Sequence, residues 1–119
     1  MAASKTENAS TDSEINSQIQ QEEFYNQSLW EICEILTAMD NSQDVFDFFS
    51  CLFTKPELKD FSKRWCLVKE LDSGTTQREI AKKYRMSLCN ITRGSRELRK
   101  ENSAFRKALL MLKNGELKK

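Results

Sequence analysis

Gln77-Arg78-Glu79-Ile80-Ala81-Lys82-Lys83-Tyr84-Arg85-Met86-Ser87-Leu88-Cys89-Asn90-Ile91-Thr92 is the stretch that decides the fold. Thr76-x-x-Glu79 has the spacing of a capping box and opens a first short helix ending near Tyr84. Ser87 can cap a second, from Leu88 to about Arg99. A connection of about three residues forces the two to cross steeply. Ala81 is small enough to let the second helix pass close above it, while Met86 and Ile91 fill the space between them. The unit from Thr76 to Lys100 therefore predicts a helix-turn-helix. Leu88, Cys89, Asn90 and Thr92 fall near the start of its second helix, where such helices touch base edges. Two positions depart from the generic pattern. The turn position usually given to glycine is Arg85. Gly94 stands where an apolar anchor is usual, although glycine costs about 1 kcal/mol relative to alanine inside a helix. Either something approaches the backbone closely at Gly94, or the position is a local weak spot.

Upstream, Thr54-Lys55-Pro56-Glu57 is a helix start: threonine caps, proline is tolerated in the first turn, and Glu57 occupies the capping-box position. That helix is expected to run to about Asp72, with Leu58, Phe61, Trp65, Val68 and Leu71 on one face and Ser73-Gly74 as its stop. Before it, Val45, Phe46, Phe48, Phe49, Leu52 and Phe53 mark another helix whose aromatic residues read as core packing. From Glu22 to about Met39, the apolar residues Phe24, Leu29, Trp30, Ile32, Cys33, Ile35 and Leu36 form a broad helical stripe. A stripe that wide suggests burial on more than one side, as against a second subunit. Downstream, Asn102-Ser103 precedes a last amphipathic helix with Phe105, Leu109 and Leu112. The fold class is all-α with six helices. Residues 1–21 are polar and predict a disordered tail, residues 22–114 the helical domain, and residues 115–119 a basic C-terminal tail.

Composition narrows the function. The 119 residues carry a net charge of +1, which conceals an asymmetry. Residues 1–54 hold one lysine against ten carboxylates, a net of −9. Residues 55–119 hold 18 basic against eight acidic side chains, a net of +10. A basic half in a neutral chain is expected where one face meets a polyanion; a surface of balanced ion pairs is the alternative. The chain has no histidine, which removes Ser-His-Asp and Cys-His chemistry and the usual zinc sites. No pair of carboxylates lies in an apolar setting, so no enzyme is expected. Cys33, Cys51, Cys66 and Cys89 have no metal-ligand spacing. They are expected to be small buried hydrophobes in a reducing cytoplasm, with no metal bound. No apolar run reaches the roughly 18 residues of a membrane span.

Gln77-Arg78-Glu79 followed by Ile91-Thr92-Arg93-Gly94-Ser95 resembles the tryptophan repressor family. Leu52-Phe53-Thr54, Lys63-Arg64, Leu67-Val68-Lys69-Glu70-Leu71 and Gly74 fit the same family. Relative to its better-known members, this chain is one residue shorter between Gly74 and Gln77. The resemblance implies an intertwined homodimer that binds a palindromic operator when L-tryptophan is bound. It places Arg64 and Arg93 on the two faces of the indole and gives Arg64 the ligand carboxylate, with help from Thr54. It sets Gly94 against the indole and the carbonyls around Cys51 and Phe53 toward the ligand amino group. A guanidinium suits this role because it can stack on a ring and also pair with a carboxylate. From spacing alone, Arg64 would instead pair with Asp60 one turn earlier, and Arg93 would meet a phosphate or solvent. The family's pocket serine aligns with Glu97, which puts the choice of corepressor in question.

For operator DNA, the resemblance implies Arg78, Leu88, Cys89, Asn90 and Thr92 at or near the bases. Asn90 replaces the family's frequent threonine and can bond adenine at two points. Lys82, Lys83 and Arg85 are expected at phosphates, or else on a solvated charged face. The expected function is therefore a transcriptional repressor with L-tryptophan as corepressor. The alternatives are a related regulator with another ligand or none, a replication-initiator-like DNA-binding module, or a partner-binding helical adaptor.

Overall fold

The computed structural model describes the backbone of residues 2–117 and the side chains of residues 11–117. Six helices follow one another: α1 (Ala2–Ala38), α2 (Ser42–Leu52), α3 (Lys55–Asp72), α4 (Gln77–Tyr84), α5 (Leu88–Arg99) and α6 (Ala104–Lys113). No strand occurs among the described residues. The chain divides into two units, one holding α1 through Asp40 and the other beginning at Asn41.

The first unit differs from the expected disordered tail. Residues 2–21 continue α1 as one 37-residue helix, and Met1 lies outside the described residues. The physical reason is cooperativity. Once the apolar segment after Glu22 is helical, each upstream residue adds one hydrogen bond without a new nucleus. The alanine, glutamate and glutamine residues of the tail oppose this little. The apolar side chains of α1 remain uncovered: Phe24, Tyr25, Leu29 and Trp30 are all exposed. Lys118 and Lys119 of the basic C-terminal tail also lie outside the described residues.

In the second unit the helix ends are set by side chains. Thr54 Oγ1 accepts from the Glu57 N–H at 3.3 Å, and the Thr54 N–H donates to Glu57 Oε1 at 3.0 Å, a complete capping box. Thr76, Ser87 and Ser103 cap α4, α5 and α6 by accepting from Glu79, Asn90 and Arg106 N–H groups. At the end of α3, Gly74 adopts φ +88°, the Gly74 N–H reaches the Leu71 carbonyl, and the Thr75 N–H reaches that of Glu70. That pairing is a Schellman stop, which needs a residue tolerant of positive φ.

Removing the Thr54 hydroxyl by Thr54→Ala is expected to cost about 1 kcal/mol, readable by urea denaturation. The Thr54 N–H, followed by its hydroxyl, also holds the Glu57 carboxyl below its ordinary 4.5. A folded pKa lowered in this way stabilises fully above 4.5, and the contribution disappears as pH falls through the lowered folded value. The Thr54→Ala deficit is therefore expected to shrink as pH falls below 4.5.

The core is compact and lies where α3, α4 and α5 meet. Leu67 of α3, Ile80 of α4 and Ile91 of α5 are buried together, with Leu71, Ala81, Tyr84 and Met86 packed around them. Ala81 and Met86 thus sit where the sequence pattern put them. The burial of α3 is rotated from the expected face: Leu67 and Val68 are its buried residues, while Phe61 is exposed. The aromatic residues of α2 also differ from core expectation. Phe49 stacks with Phe53 at 5.9 Å and with Phe61 at 5.4 Å, but no residue of α2 is buried. Phe46 is exposed outright. The cluster covers itself, and nothing else in its own unit covers it.

The cysteines require a correction as well. Cys33, Cys51 and Cys89 are exposed and Cys66 is half-buried. Each lies beside an apolar run, but only Cys66 is partly covered by its unit. They are free thiols with no disulfide among the described residues.

Candidate functional site: a charged cleft beside the second helix of a helix-turn-helix

The turn between α4 and α5 aims the second helix. Arg85 adopts φ 51°, ψ 50°, the left-handed conformation that costs an L-residue roughly 1–2 kcal/mol. The Ala81 carbonyl accepts from both the Arg85 and Met86 N–H groups and closes the turn. Sequence comparison with the generic motif asked for glycine here, and the backbone still adopts glycine's conformation. Arg85→Gly is therefore expected to raise stability by roughly 0.5–1 kcal/mol after glycine's own entropy cost. A higher urea midpoint with unchanged helicity would verify it.

Downstream of that turn, α5 presents Leu88, Cys89, Asn90 and Thr92 to solvent. Leu88 is 63% exposed, which suits contact with an apolar group such as a thymine methyl. Leu88, Cys89 and Thr92 border a shallow hollow with Arg93 and Arg96. Gln77, Thr92, Ser95, Arg96 and Arg99 border a second, in which the Ser95 hydroxyl accepts from Arg99 at 2.9 Å. Arg78 and Lys82 are exposed on α4. Lys83 is placed differently from them. Its Nζ lies 3.5 Å from Glu70 Oε1 on α3 and 5.3 Å from the centre of the Tyr84 ring. The Glu70 carboxylate, with Tyr84 adding to it, raises the Lys83 pKa above its ordinary 10.5. Lys83 thus ties α4 to α3. Arg96 and Arg99 went unnoticed in the sequence, although both follow Arg93 at three-residue intervals, the spacing that lines up one helix face.

On the other side of α5 lies a cleft of about 180 Å³. Arg64, Leu67 and Val68 line it from α3, Asn90, Arg93, Gly94 and Glu97 from α5, and Phe105 from α6. Four residues singled out for a ligand, Arg64, Arg93, Gly94 and Glu97, are thus brought together. Cys51, Phe53 and Thr54 do not line it. They sit at the junction of α2 and α3, where Thr54 is engaged with Glu57. Ten residues of helix separate Thr54 from Arg64, about 15 Å at 1.5 Å per residue. Asn90, expected only at DNA, also lines the cleft. Leu67, Val68 and Phe105 were legible as part of the family resemblance or of an apolar helix face, but not as cleft residues.

Each cleft residue has a local cause. Arg64 is exposed on α3, and the Asp60–Arg64 pair allowed by spacing does not form among the described ion pairs. Gly94 is buried, and a Cβ built on it would lie 2.9 Å from Leu67 Cδ2 and 3.4 Å from Leu67 Cγ. Gly94 is therefore a close-approach glycine between α5 and α3. Glu97 is half-buried and accepts from Lys100 Nζ at 2.8 Å on its Oε1. That hydrogen bond holds the Glu97 carboxyl below its ordinary 4.5 against the opposing effect of desolvation, and the Lys100, Arg93 and Arg96 charges add to the lowering. No cluster of metal-ligating side chains occurs among the described residues. No helix among them is long and apolar enough to cross a membrane.

The family model described as Trp repressor protein matches residues 27–113. The chain belongs to the Trp repressor family. Its relatives include a Trp operon repressor homolog of Chlamydia trachomatis serovar L2 (strain ATCC VR-902B / DSM 19102 / 434/Bu), 36% identical over 90 residues, covering 75% of this chain and 93% of the relative. A Trp operon repressor homolog of Chlamydia caviae is 33% identical over 86 residues, covering 71% and 85%. One of Xylella fastidiosa (strain M23) is 32% identical over 72 residues, covering 60% and 78%. No solved structure matches. The Trp repressor match spans α2 to α6 and the end of α1, so both the cleft and the reading helix lie inside it. This chain is a repressor-like, all-α regulator of the Trp repressor family, and its α1 begins well before the matched region.

Proposed function

We propose that the protein is a non-enzymatic, cytoplasmic transcriptional repressor that binds operator DNA with L-tryptophan as corepressor. The observation that carries this reading is the shared use of α5. Leu88, Cys89, Asn90 and Thr92 are exposed at its start, while Arg93, Gly94 and Glu97 line a cleft with Arg64 one turn later. The two guanidiniums supply what an aromatic amino acid needs: flat cations for the ring and a fork for the carboxylate. Arg78, Lys82 and Arg85 supply exposed positive charge for phosphates.

The working unit is a homodimer. Phe24, Tyr25, Leu29 and Trp30 of α1 and Phe46 and Phe61 of the second unit are exposed, a load of apolar surface that a soluble monomer rarely leaves bare. Dimerisation also completes the ligand site. Thr54 lies about 15 Å along α3 from Arg64, and neither it nor Cys51 and Phe53 of the α2 end lines the cleft of its own chain, so a second copy presents them. Two copies place two reading helices on one duplex, which is how helix-turn-helix dimers recognise palindromes.

The ligand acts by binding the DNA-competent arrangement more tightly than the other. The test is selection of duplexes from a random pool with and without L-tryptophan, followed by affinity measurement across salt. The expected result is a palindromic site whose affinity rises with L-tryptophan and falls steeply with salt. Equal affinity with and without it would remove the corepressor. Weak salt dependence would favour a helical adaptor that binds a protein. A second reading, the same DNA-binding regulator with another ligand or none, draws on the negative charge that Glu97 brings to the cleft. Calorimetry against a panel of amino acids separates the two.

A further inference from the structure

The cleft carries both signs of charge: Arg64 reaches it from α3, and Arg93 and Glu97 reach it from α5. Arg64 and Arg93 bring two guanidiniums, and Glu97 brings one carboxylate from the next turn of α5. Leu67, Val68 and Phe105 supply the floor. Glu97 is neither a bystander nor fully committed. Its side chain is 40% exposed, and Lys100 donates to Oε1, while Oε2 has no partner among the described residues. An ionised carboxylate accepts on both oxygens, so one acceptor remains directed at no protein donor.

We propose that Glu97 makes this cleft selective for a zwitterion, taking the ligand α-ammonium on its free carboxylate oxygen while Arg64 takes the ligand carboxylate. The inference rests on the corepressor reading above and adds to it a rule of exclusion. A ligand with the same ring and carboxylate but no ammonium brings a lone negative charge beside Glu97. It gains Arg64 but leaves the Glu97 oxygen unanswered and adds like-charge repulsion. Lys100 supports the arrangement without competing for it, because its Nζ occupies the other oxygen. It also favours the ionised form of Glu97 at neutral pH.

The probes are L-tryptophan and 3-indolepropionic acid, which differ by the α-amino group. Calorimetry on the full chain measures both, in the parent, in Glu97→Ala and in Lys100→Ala. The parent is expected to prefer L-tryptophan tenfold or more, the range of one charge-assisted hydrogen bond. Glu97→Ala is expected to reduce that preference at least fivefold, chiefly by improving 3-indolepropionic acid. Lys100→Ala, which leaves the carboxylate in place, is expected to keep it. Equal affinities in the parent, or a preference unchanged in Glu97→Ala, would overturn the inference while leaving tryptophan as corepressor. Absence of binding by both ligands would overturn the corepressor reading and this inference with it.

Discussion

Ile91→Ala is expected to lower the unfolding free energy by about 2–5 kcal/mol, the loss that a fully buried isoleucine at the centre of the core entails. Ile91 is 0% exposed and packs against Leu67 and Ile80. The truncation loses the transfer free energy of the removed carbons and leaves a cavity that three crossing helices cannot close. The described buried hydrophobic core comprises only Leu67, Val68, Ile80, Ile91 and Leu109. Small domains have about 5–15 kcal/mol in total, so losing this much changes the folded population at growth temperature. Thermal unfolding followed by circular dichroism reads the effect. Ile91→Val, which removes one methyl, is expected to cost about 0.5–1.5 kcal/mol on the same scale. A midpoint unmoved by Ile91→Ala would show that stability resides outside the helix-turn-helix, in the association of α1.

The second large effect is on the ligand. Arg64→Ala is expected to weaken L-tryptophan binding by 100-fold or more without changing the fold. The loss combines a guanidinium over an aromatic ring, about 2 kcal/mol when desolvated, with a charge-assisted bond to a carboxylate, about 1.5–3 kcal/mol. Together these exceed the roughly 2.8 kcal/mol of a 100-fold change. Arg64 is exposed and holds no ion pair among those described, so its removal leaves no buried charge behind. Arg64→Lys is expected to fall between the two, because an ammonium keeps the charge but not the flat fork. Calorimetry gives the affinity, and an unchanged denaturation midpoint shows that folding is intact. Retention of affinity in Arg64→Ala would place the ligand elsewhere.

Most of the second unit was legible from residues whose local chemistry is self-contained. Thr54 with Glu57, Thr76, Ser87, and Ser73-Gly74 each announce a helix end through bonds to backbone a few residues away, and each does so in the structure. Ala81, Met86 and Ile91 announce the crossing of α4 and α5 through size and spacing. What was not legible depends on partners distant in sequence. The side of α3 that is buried turns on where α5 crosses it, which Leu67 reveals only against Gly94. The exposure of Cys33, Cys51 and Cys89 depends on which helix sides lack neighbours in the unit. The segment ahead of Glu22 offers little to bury beyond Ile15 and Ile19, both exposed, so the helix that follows decides its conformation. At the candidate site, Arg64 and Arg93 could be paired only through the resemblance, since 29 positions separate them in the numbering. The division of Cys51, Phe53 and Thr54 from the cleft needed the measured length of α3.

The absence of a side chain at Gly94 also makes α5 a lever. At that point Leu67 sits against the bare backbone, so Gly94 is a close contact of α5 with α3. Glu97 lies about 4.5 Å beyond it and Leu88 about 9 Å before it, at 1.5 Å per residue. Any tilt of a rigid α5 about this contact displaces its N-terminal tip at Leu88 about twice as far as Glu97, and in the opposite direction.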